Sequence, residues 1–390
     1  MREAVIVDAA RTPIGKFRGS LSTVRADHLA AVVLEAIRKR NGLDASRIDD
    51  VIFGCVTQIG EQSANIARTA ALSAGWPETV PGLTIDRKCG SSEVAVHMAA
   101  GQIAVGAADI VFAGGAENMS RVPMGSNRDL HGLPFGFHLL DRFEMTSQGE
   151  SAERIADICG FTRGDLDDFA IGSHRRAAAA ADAGHFDREI VGIDVAAHRE
   201  RTAEGPASVV TKDETIRRDT SREKLGTLKT SFRPEGKVTA GNASQISDGA
   251  AVLLMMAEET ARELGLKPRA RIRAMTTVGS DPTLMLTGPI EATRRVLRRA
   301  GLMLADIDLY EINEAFAPVP MMWLNELGGD HDKLNVNGGA VALGHPLGAS
   351  GARLMTTLLH EMERRDVQFG LQSMCCAGGL GTATIVERLA

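Results

Sequence analysis

Short apolar runs of strand length alternate with helical segments at both ends of this 390-residue chain, and the alternation stops in between. This rhythm constrains the fold most tightly. Strands separated by helices pair side by side in a sheet, with the helices packed over its faces. Glu3 to Ala9, Asp50 to Val56 and Asp109 to Ala113 read as strands, with Thr84 to Asp86 a shorter one. Asp27 to Arg40, Ala64 to Ala74 and Ser91 to Val105 read as helices. Asp27 is expected to cap the first of these, and basic residues close it. Ser91 to Val105 is apolar on nearly all sides, with Glu93, His97 and Gln102 its strong polar groups, so it is expected to be buried.

From Glu117 to about Asn242 the rhythm is lost and polar residues rise. Helices are expected at Gly149 to Ile158 and Asp165 to Ala183. Residues 199–237 carry ten Lys/Arg against seven Asp/Glu, which suggests a mobile, mildly basic loop. Residues 119–249 thus read as an inserted loop domain. Alternation resumes near Ala250. Strands are expected at Ala270 to Ala274, Ile307 to Glu311 and Gln372 to Cys376, and helices at Ile290 to Ala300, Met321 to Glu326 and Ser350 to Arg364. Ala-Gly-Gly recurs at 113–115 and 377–379, each time after a buried strand. That echo suggests two duplicated α/β halves facing each other. The division is 1–118 with 250–268, then 119–249, then 269–390.

Composition narrows the function. Aromatics are only 4% of the chain, which argues against stacking on nucleic-acid bases. The net charge of −6 opposes general polyanion binding. The longest apolar run near the middle, Ala250 to Ala257, has eight residues, far short of the ~18 a membrane helix needs. The apolar stretch at Ala4 to Val7 is too short for a secretory signal. Cys55, Cys89, Cys159, Cys375 and Cys376 are few and odd in number, as for free thiols in a reducing, cytoplasmic setting. They form no Cys-x-x-Cys pair, so no metal is expected.

Three Gly-rich segments carry reactive side chains. In Asp86-Arg-Lys-Cys-Gly-Ser-Ser92, Cys89 stands where a strand gives way to the buried helix. The positive end of a helix, with Arg87 and Lys88 nearby, is expected to lower a thiol pKa. The plainer alternative is an inert buried cysteine. In Asn337 to Ala352, His345 sits on a constrained loop between Gly344 and Pro346. A cysteine with a distant histidine suits nucleophilic catalysis. A phosphate-binding loop would need Gly-Lys-Ser/Thr, which is missing. Asn313 follows a buried strand, where it can orient a water or a carbonyl, or simply cap a helix. Cys375 and Cys376 end another strand before a glycine turn. Glu93, in the first turn after Cys89, reads as a helix cap, as a partner of Arg87 or Lys88, or as a group tuning Cys89.

Together Cys89-Gly-Ser, Asn313-Glu-Ala-Phe-Ala, Gly344-His-Pro-Leu-Gly-Ala-Ser-Gly and Cys375-x-x-Gly-Gly-x-Gly resemble the motifs of the thiolase family. Val7-Asp-Ala-Ala-Arg-Thr-Pro-Ile-Gly15 and Thr239-Ala-Gly-Asn-Ala-Ser244 do so too, in order and over nearly the whole chain. The resemblance implies a duplicated α/β fold layered α-β-α-β-α with an inserted loop domain, in a homodimer or homotetramer. It implies acyl transfer between a 3-oxoacyl-CoA and coenzyme A, a substrate here, with no permanently bound cofactor. Cys89 would carry the acyl group and Cys375 would move protons. His345 and a water on Asn313 would serve the thioester oxygen. The amides of Cys89 and Gly378 would form a second oxyanion hole. Ser244 and Phe316 would line the CoA arm, with Arg217 and Arg218 near its nucleotide.

The chain departs from the family pattern at three places. Gly90-Ser-Ser-Glu93 replaces a common Gly-Ser-Gly with an apolar residue, and Cys376-Ala377 a common Ile-Gly. Ser147-Gln148-Gly149 stands where short-chain enzymes have His-Met-Gly. Gln148 is therefore expected in the acyl pocket of an enzyme for longer or bulkier chains, steroid side chains included. One rival is a decarboxylating condensing enzyme of the same superfamily, which the second cysteine opposes. The other is a non-catalytic acyl-CoA or lipid-binding relative, which should have lost one of Cys89, His345 or Cys375.

Overall fold

The computed structural model of the chain describes residues 1–128, 130–201 and 208–389. Part of the basic stretch at 199–237, residues 202–207, therefore lies outside the described residues. Strands β1 (Ala4–Arg11), β2 (Asp50–Gly54), β3 (Leu83–Ile85), β4 (Ile110–Asn118) and β5 (Ser247–Ala257) come first. They are followed by β6 (Ala270–Gly279), β7 (Leu309–Ile312), β8 (Phe369–Cys376) and β9 (Leu380–Arg388). They hydrogen-bond in the order β7-β8-β9-β6-β1-β5-β4-β2-β3.

The two ends of this path repeat one plan. β4 pairs parallel with β2, then β5 runs antiparallel to β4 and to β1. Likewise β8 pairs parallel with β7, then β9 runs antiparallel to β8 and to β6. The halves meet edge to edge through Val5↔Arg271 and Ile6↔Ala270. Helices α1 (Ala26–Arg40) and α2 (Ile66–Ser73) cover the outer face of the first half. Helix α3 (Ser91–Val105) packs inside, against β2 and β4 and against β9. Helices α4 (Gln148–Ile158) and α5 (Arg163–Asp182) lie between β4 and β5 in sequence. Helix α6 (Gly288–Ala300) covers β6 and β9 from outside, with α7 (Pro318–Leu327) against it. Helix α8 (Ser350–Arg365) packs inside beside α3, touching β5 and β8. The layers are α-β-α-β-α, with α3 and α8 shared by both halves. An all-round apolar α3 is what such a place requires.

Three strands differ markedly from the sequence reading, among them β6, which runs on to Gly279 instead of ending at Ala274. β4 runs on to Asn118, so the Ala-Gly-Gly at 113–115 lies within a strand, while 377–379 lies in the turn from β8 to β9. Gly115 is used for close approach. A Cβ there would lie 2.1 Å from the carbonyl oxygen of Gly348, on the His345 loop. β9 was not foreseen. Its alternation is masked because Thr382 and Thr384, polar by type, are fully buried. The segment between β4 and β5 is anchored by Arg11 of β1. Its fully buried guanidinium donates to Glu189 at 2.6 Å and to Asp213 at 2.7 and 3.0 Å.

Candidate active site

Cys89 stands just before Gly90, the residue that opens α3. The turn into it is strained: Lys88 has φ 51, a left-handed conformation unusual for a side-chain residue. Asp86 holds it there, accepting the Lys88 backbone N–H at 2.7 Å and its ammonium at 2.5 Å. Ser91 accepts the Arg87 N–H at 2.8 Å and donates to Lys88 O at 2.6 Å. Cys89 is buried, and burial pushes its thiol up to about 11. Hydrogen bonds from Gln148 and from the amides of Cys89 and Ala377, with the Lys88 charge, pull the other way. The expected low thiol pKa at the helix start is thus overturned: desolvation of the thiolate outweighs the helix and its cations. A resting thiol of this kind needs a base.

His345 reaches the cluster through Asn313, with one ring nitrogen left unprotonated. Its backbone N–H donates to Gln245 O at 3.1 Å, which fixes the loop. Nδ1 lies 2.6 Å from Ser350 Oγ, and the single Ser350 proton goes to Pro346 O at 2.8 Å. Ser350 must therefore accept from Nδ1–H, which leaves Nε2 with a free lone pair. Asn313 Nδ2 faces that nitrogen at 3.5 Å. Burial, reinforced by the Arg353 charge, holds the imidazole down at about 3, so it is neutral near pH 7. Asn313 precedes α7, whose N-cap is Ala317, so it is not that helix's cap. Its Oδ1 is buried and has no hydrogen-bond partner among the described residues, an acceptor suited to a water.

Cys375 completes the cluster. Burial and the nearby Cys89 raise its thiol, while Asn313 and the amide of Ala315 draw it down. Cys376, on the opposite face of β8, packs instead with Met374, Leu354 and Cys89. Gly378 is exposed at φ 86, three residues beyond Cys375 on the same turn. Phe316 meets Phe232 edge to face at 5.9 Å, and Ser244 N–H donates to Ala315 O at 2.9 Å. Phe232 covers Gly149, where a Cβ would lie 2.2 Å from its ring. Arg217 reaches Gln245, next to Ser244, at 3.3 Å. Arg218 turns away to Asp182 at 2.7 Å and is not brought to the cluster. The structure therefore gathers Cys89, Gln148, Asn313, His345 and Cys375, with Ser244 and Phe316 beside them.

The capping and ion-pairing readings of Glu93 are corrected. Its carboxyl is hydrogen-bonded to the hydroxyls of Thr382 and Thr384 of β9, at 2.5 and 2.6 Å, and not to the start of its own helix. Lys88 pairs with Asp86 instead. The sequence reading also missed Ser350, although it lies inside the quoted His345 motif, and Phe232, which no motif marks. It missed Glu117 too, which accepts from Val56, Thr57, Gln62 and Gly348 and ties the His345 loop to the end of β2.

Residues 4–259 match the thiolase N-terminal domain and residues 266–388 the thiolase C-terminal domain. A 3-ketoacyl-CoA thiolase of Yersinia pestis (strain Pestoides F) is 48% identical over 395 residues, covering all of both chains. The steroid 3-ketoacyl-CoA thiolase FadA6 of Mycobacterium tuberculosis is 44% identical, over all of this chain and 95% of that one. The crystal structure of the Bacillus anthracis acetyl-CoA acetyltransferase superposes with a TM-score of 0.91 at 42% identity, covering all of this chain and 99% of that one. With two thiols, an unprotonated imidazole nitrogen and an asparagine at the centre of this fold, the chain belongs to the thiolase family.

Proposed function

We propose that the chain is an acyl-CoA C-acetyltransferase that cleaves 3-oxoacyl-CoA with coenzyme A, or runs the reverse condensation. The observation that carries this reading is the convergence of Cys89, Cys375 and Asn313 with an Nε2 lone pair on His345. Cys89 loses its proton to His345 and attacks the 3-keto carbon. The oxyanion so formed is met by the amides of Cys89 and Gly378, donors typically worth ~3 kcal/mol each. The oxyanion collapses, the C2–C3 bond breaks, and its electron pair becomes the enolate of acetyl-CoA. That charge falls on the thioester oxygen, facing His345 and a water on Asn313. Cys375 protonates C2 and acetyl-CoA leaves. The Cys375 thiolate then takes the proton of an incoming CoA thiol, whose thiolate attacks acyl-Cys89 and expels it, and the freed Cys89 thiolate takes back the proton held on His345.

Coenzyme A enters as a substrate, along Ser244 and Phe316, with Arg217 toward its nucleotide and Arg218 further out. Gln148 and Phe232 border the acyl end. Ser147-Gln148-Gly149 in place of the His-Met-Gly of short-chain enzymes favours longer or bulkier 3-oxoacyl chains, in line with the 44% identity to a steroid 3-ketoacyl-CoA thiolase. The same reading divides the chain into 1–118 with 250–268, an inserted 119–249, and 269–390. It makes the enzyme a homodimer or homotetramer of the cytoplasm. No helix among the described residues is long and apolar enough to cross a membrane. A panel of 3-oxoacyl-CoAs of graded size tests the substrate. Turnover rising with acyl bulk supports the reading, and turnover confined to acetoacetyl-CoA opposes it.

A further inference from the structure

Glu93 is fully buried in the first turn of the helix that follows Cys89. Among the described residues no Lys or Arg pairs with it, and the nearest basic group is His97, with Nε2 at 3.9 Å. Both carboxylate oxygens are nevertheless held. Thr382 Oγ1 bonds Oε2 at 2.5 Å and Thr384 Oγ1 bonds Oε1 at 2.6 Å. Thr384 Oγ1 also lies 2.8 Å from His97 Nε2. An apolar side chain would fill this place without the cost of burying a charge. The polar arrangement is therefore best explained by what it holds together.

It holds the nucleophile helix to the strand that carries its reaction partner. Thr382 and Thr384 share one face of β9 and pair with Met374 and Gln372 of β8. The residue of β9 just before Thr382, Gly381, pairs with Cys375, and Leu380 pairs with Cys376. The chain of contacts runs Cys89, α3, Glu93, the two threonines, β9, β8, Cys375. By contrast, Cys89 is set locally by Asp86 and Ser91, and the His345 loop by Glu117, Ser350 and Gln245. Those fixings do not pass through Glu93.

We propose that Glu93 is a positioning residue, whose carboxyl clamps the Cys89 helix onto the β8–β9 hairpin and thereby sets the spacing of Cys89 and Cys375. This rests on the thiolase reading and adds a residue to it. The clamp also defines where protons lie. Thr384 has one hydroxyl proton. Either Glu93 is a neutral acid and donates to Thr384, which donates on to His97, or Glu93 is a carboxylate and the chain of donors runs the other way. Burial pushes the carboxyl up to about 7 against the pull of Thr382, Thr384 and Gln372. It pushes His97 down to about 3, with Arg87 adding to that. The remaining titratable group that responds to Glu93 is Cys376.

The test separates a step that needs one thiol from a step that needs both. Wild type, Glu93→Gln, Glu93→Met and the double variant Thr382→Val with Thr384→Val are compared. Exchange of the α-protons of acetyl-CoA in deuterium oxide reads Cys375 alone. Acylation of Cys89 by a 3-oxoacyl-CoA, read by intact mass, needs both thiols, because Cys375 must protonate C2 before acetyl-CoA leaves. Glu93→Met and the double valine variant should exchange within about threefold of wild type and acylate about tenfold more slowly. Combining them should cost no more than either alone, because they break the same link. Glu93→Gln should acylate near the wild-type rate, since an amide can accept from one hydroxyl and donate to the other. Wild-type acylation in Glu93→Met overturns the proposal. So does an equal fall of acylation and exchange, which is what general loosening produces, or Glu93→Gln failing as badly as Glu93→Met. If Glu93→Met does not fold, Glu93→Gln and the double valine variant decide alone. Failure of the thiolase reading shows separately, as a wild type that neither acylates nor exchanges.

Discussion

At the scale of single residues, the site depends on protonation states set by burial. Cys89 rests as a thiol at about 11 and His345 as a neutral base at about 3. In the proposed reaction the proton leaves Cys89 only when substrate arrives. Ser350 selects the useful tautomer by taking Nδ1–H and giving its own proton to Pro346 O. Ser350→Ala should free the ring to hold its proton on Nε2, where it cannot accept from Cys89. Turnover should fall about tenfold or more with little change in KM, and Ser350→Thr should restore part of it. Steady-state kinetics checks this, and an unchanged kcat for Ser350→Ala contradicts it. Cys89, His345 and Cys375 were legible in the sequence because each is a reactive side chain near a glycine turn, and Asn313 because it is a polar residue directly after a buried strand. Ser350 and Glu93 were not, because their roles depend on what lies opposite. For Glu93 that is a strand the sequence did not announce.

At the scale of elements, the architecture was read from the alternation of strands and helices and from the all-round apolar α3. The missing part was β9, whose buried threonines look polar from the sequence alone. Glycines let the elements approach. A Cβ on Gly351 of α8 would lie 2.4 Å from Glu93 N on α3, and one on Gly115 of β4 would lie 2.1 Å from Gly348 O. Both neighbours are backbone and cannot swing aside. Gly115→Ala should destabilise the fold by about 2 kcal/mol or more and push the His345 loop outward. Urea denaturation measures the first effect and turnover of the folded fraction the second. An alanine variant of wild-type stability would show that the close approach is not needed.

At the scale of the whole molecule, buried titratable groups shape stability against pH. His97 and His345 are held at about 3 and His174 at about 4, below their ordinary 6.5. Unfolding lets them bind protons, so their contribution is lost as pH falls below 6.5. Glu93 at about 7 and Glu311 at about 8 are raised above 4.5 by burial. Their contribution is full below 4.5 and is lost as pH rises to 7 and 8. Between 4.5 and 6.5 the two groups oppose each other. Three histidines outweigh two glutamates there, so melting temperature should climb slowly to a maximum near the upper end of that window, fall more steeply below pH 4.5 and decline above 6.5, and a rise from pH 6.5 to 8 would contradict this. The central claim is that Cys89 carries the acyl group between two coenzyme A thioesters. Intact-mass spectrometry of the protein mixed with a 3-oxoacyl-CoA in the absence of free CoA tests it most directly. The account predicts one acyl adduct, mapped to Cys89, absent in Cys89→Ser and discharged by added CoA. An adduct that persists in Cys89→Ser, or that CoA does not remove, would contradict it.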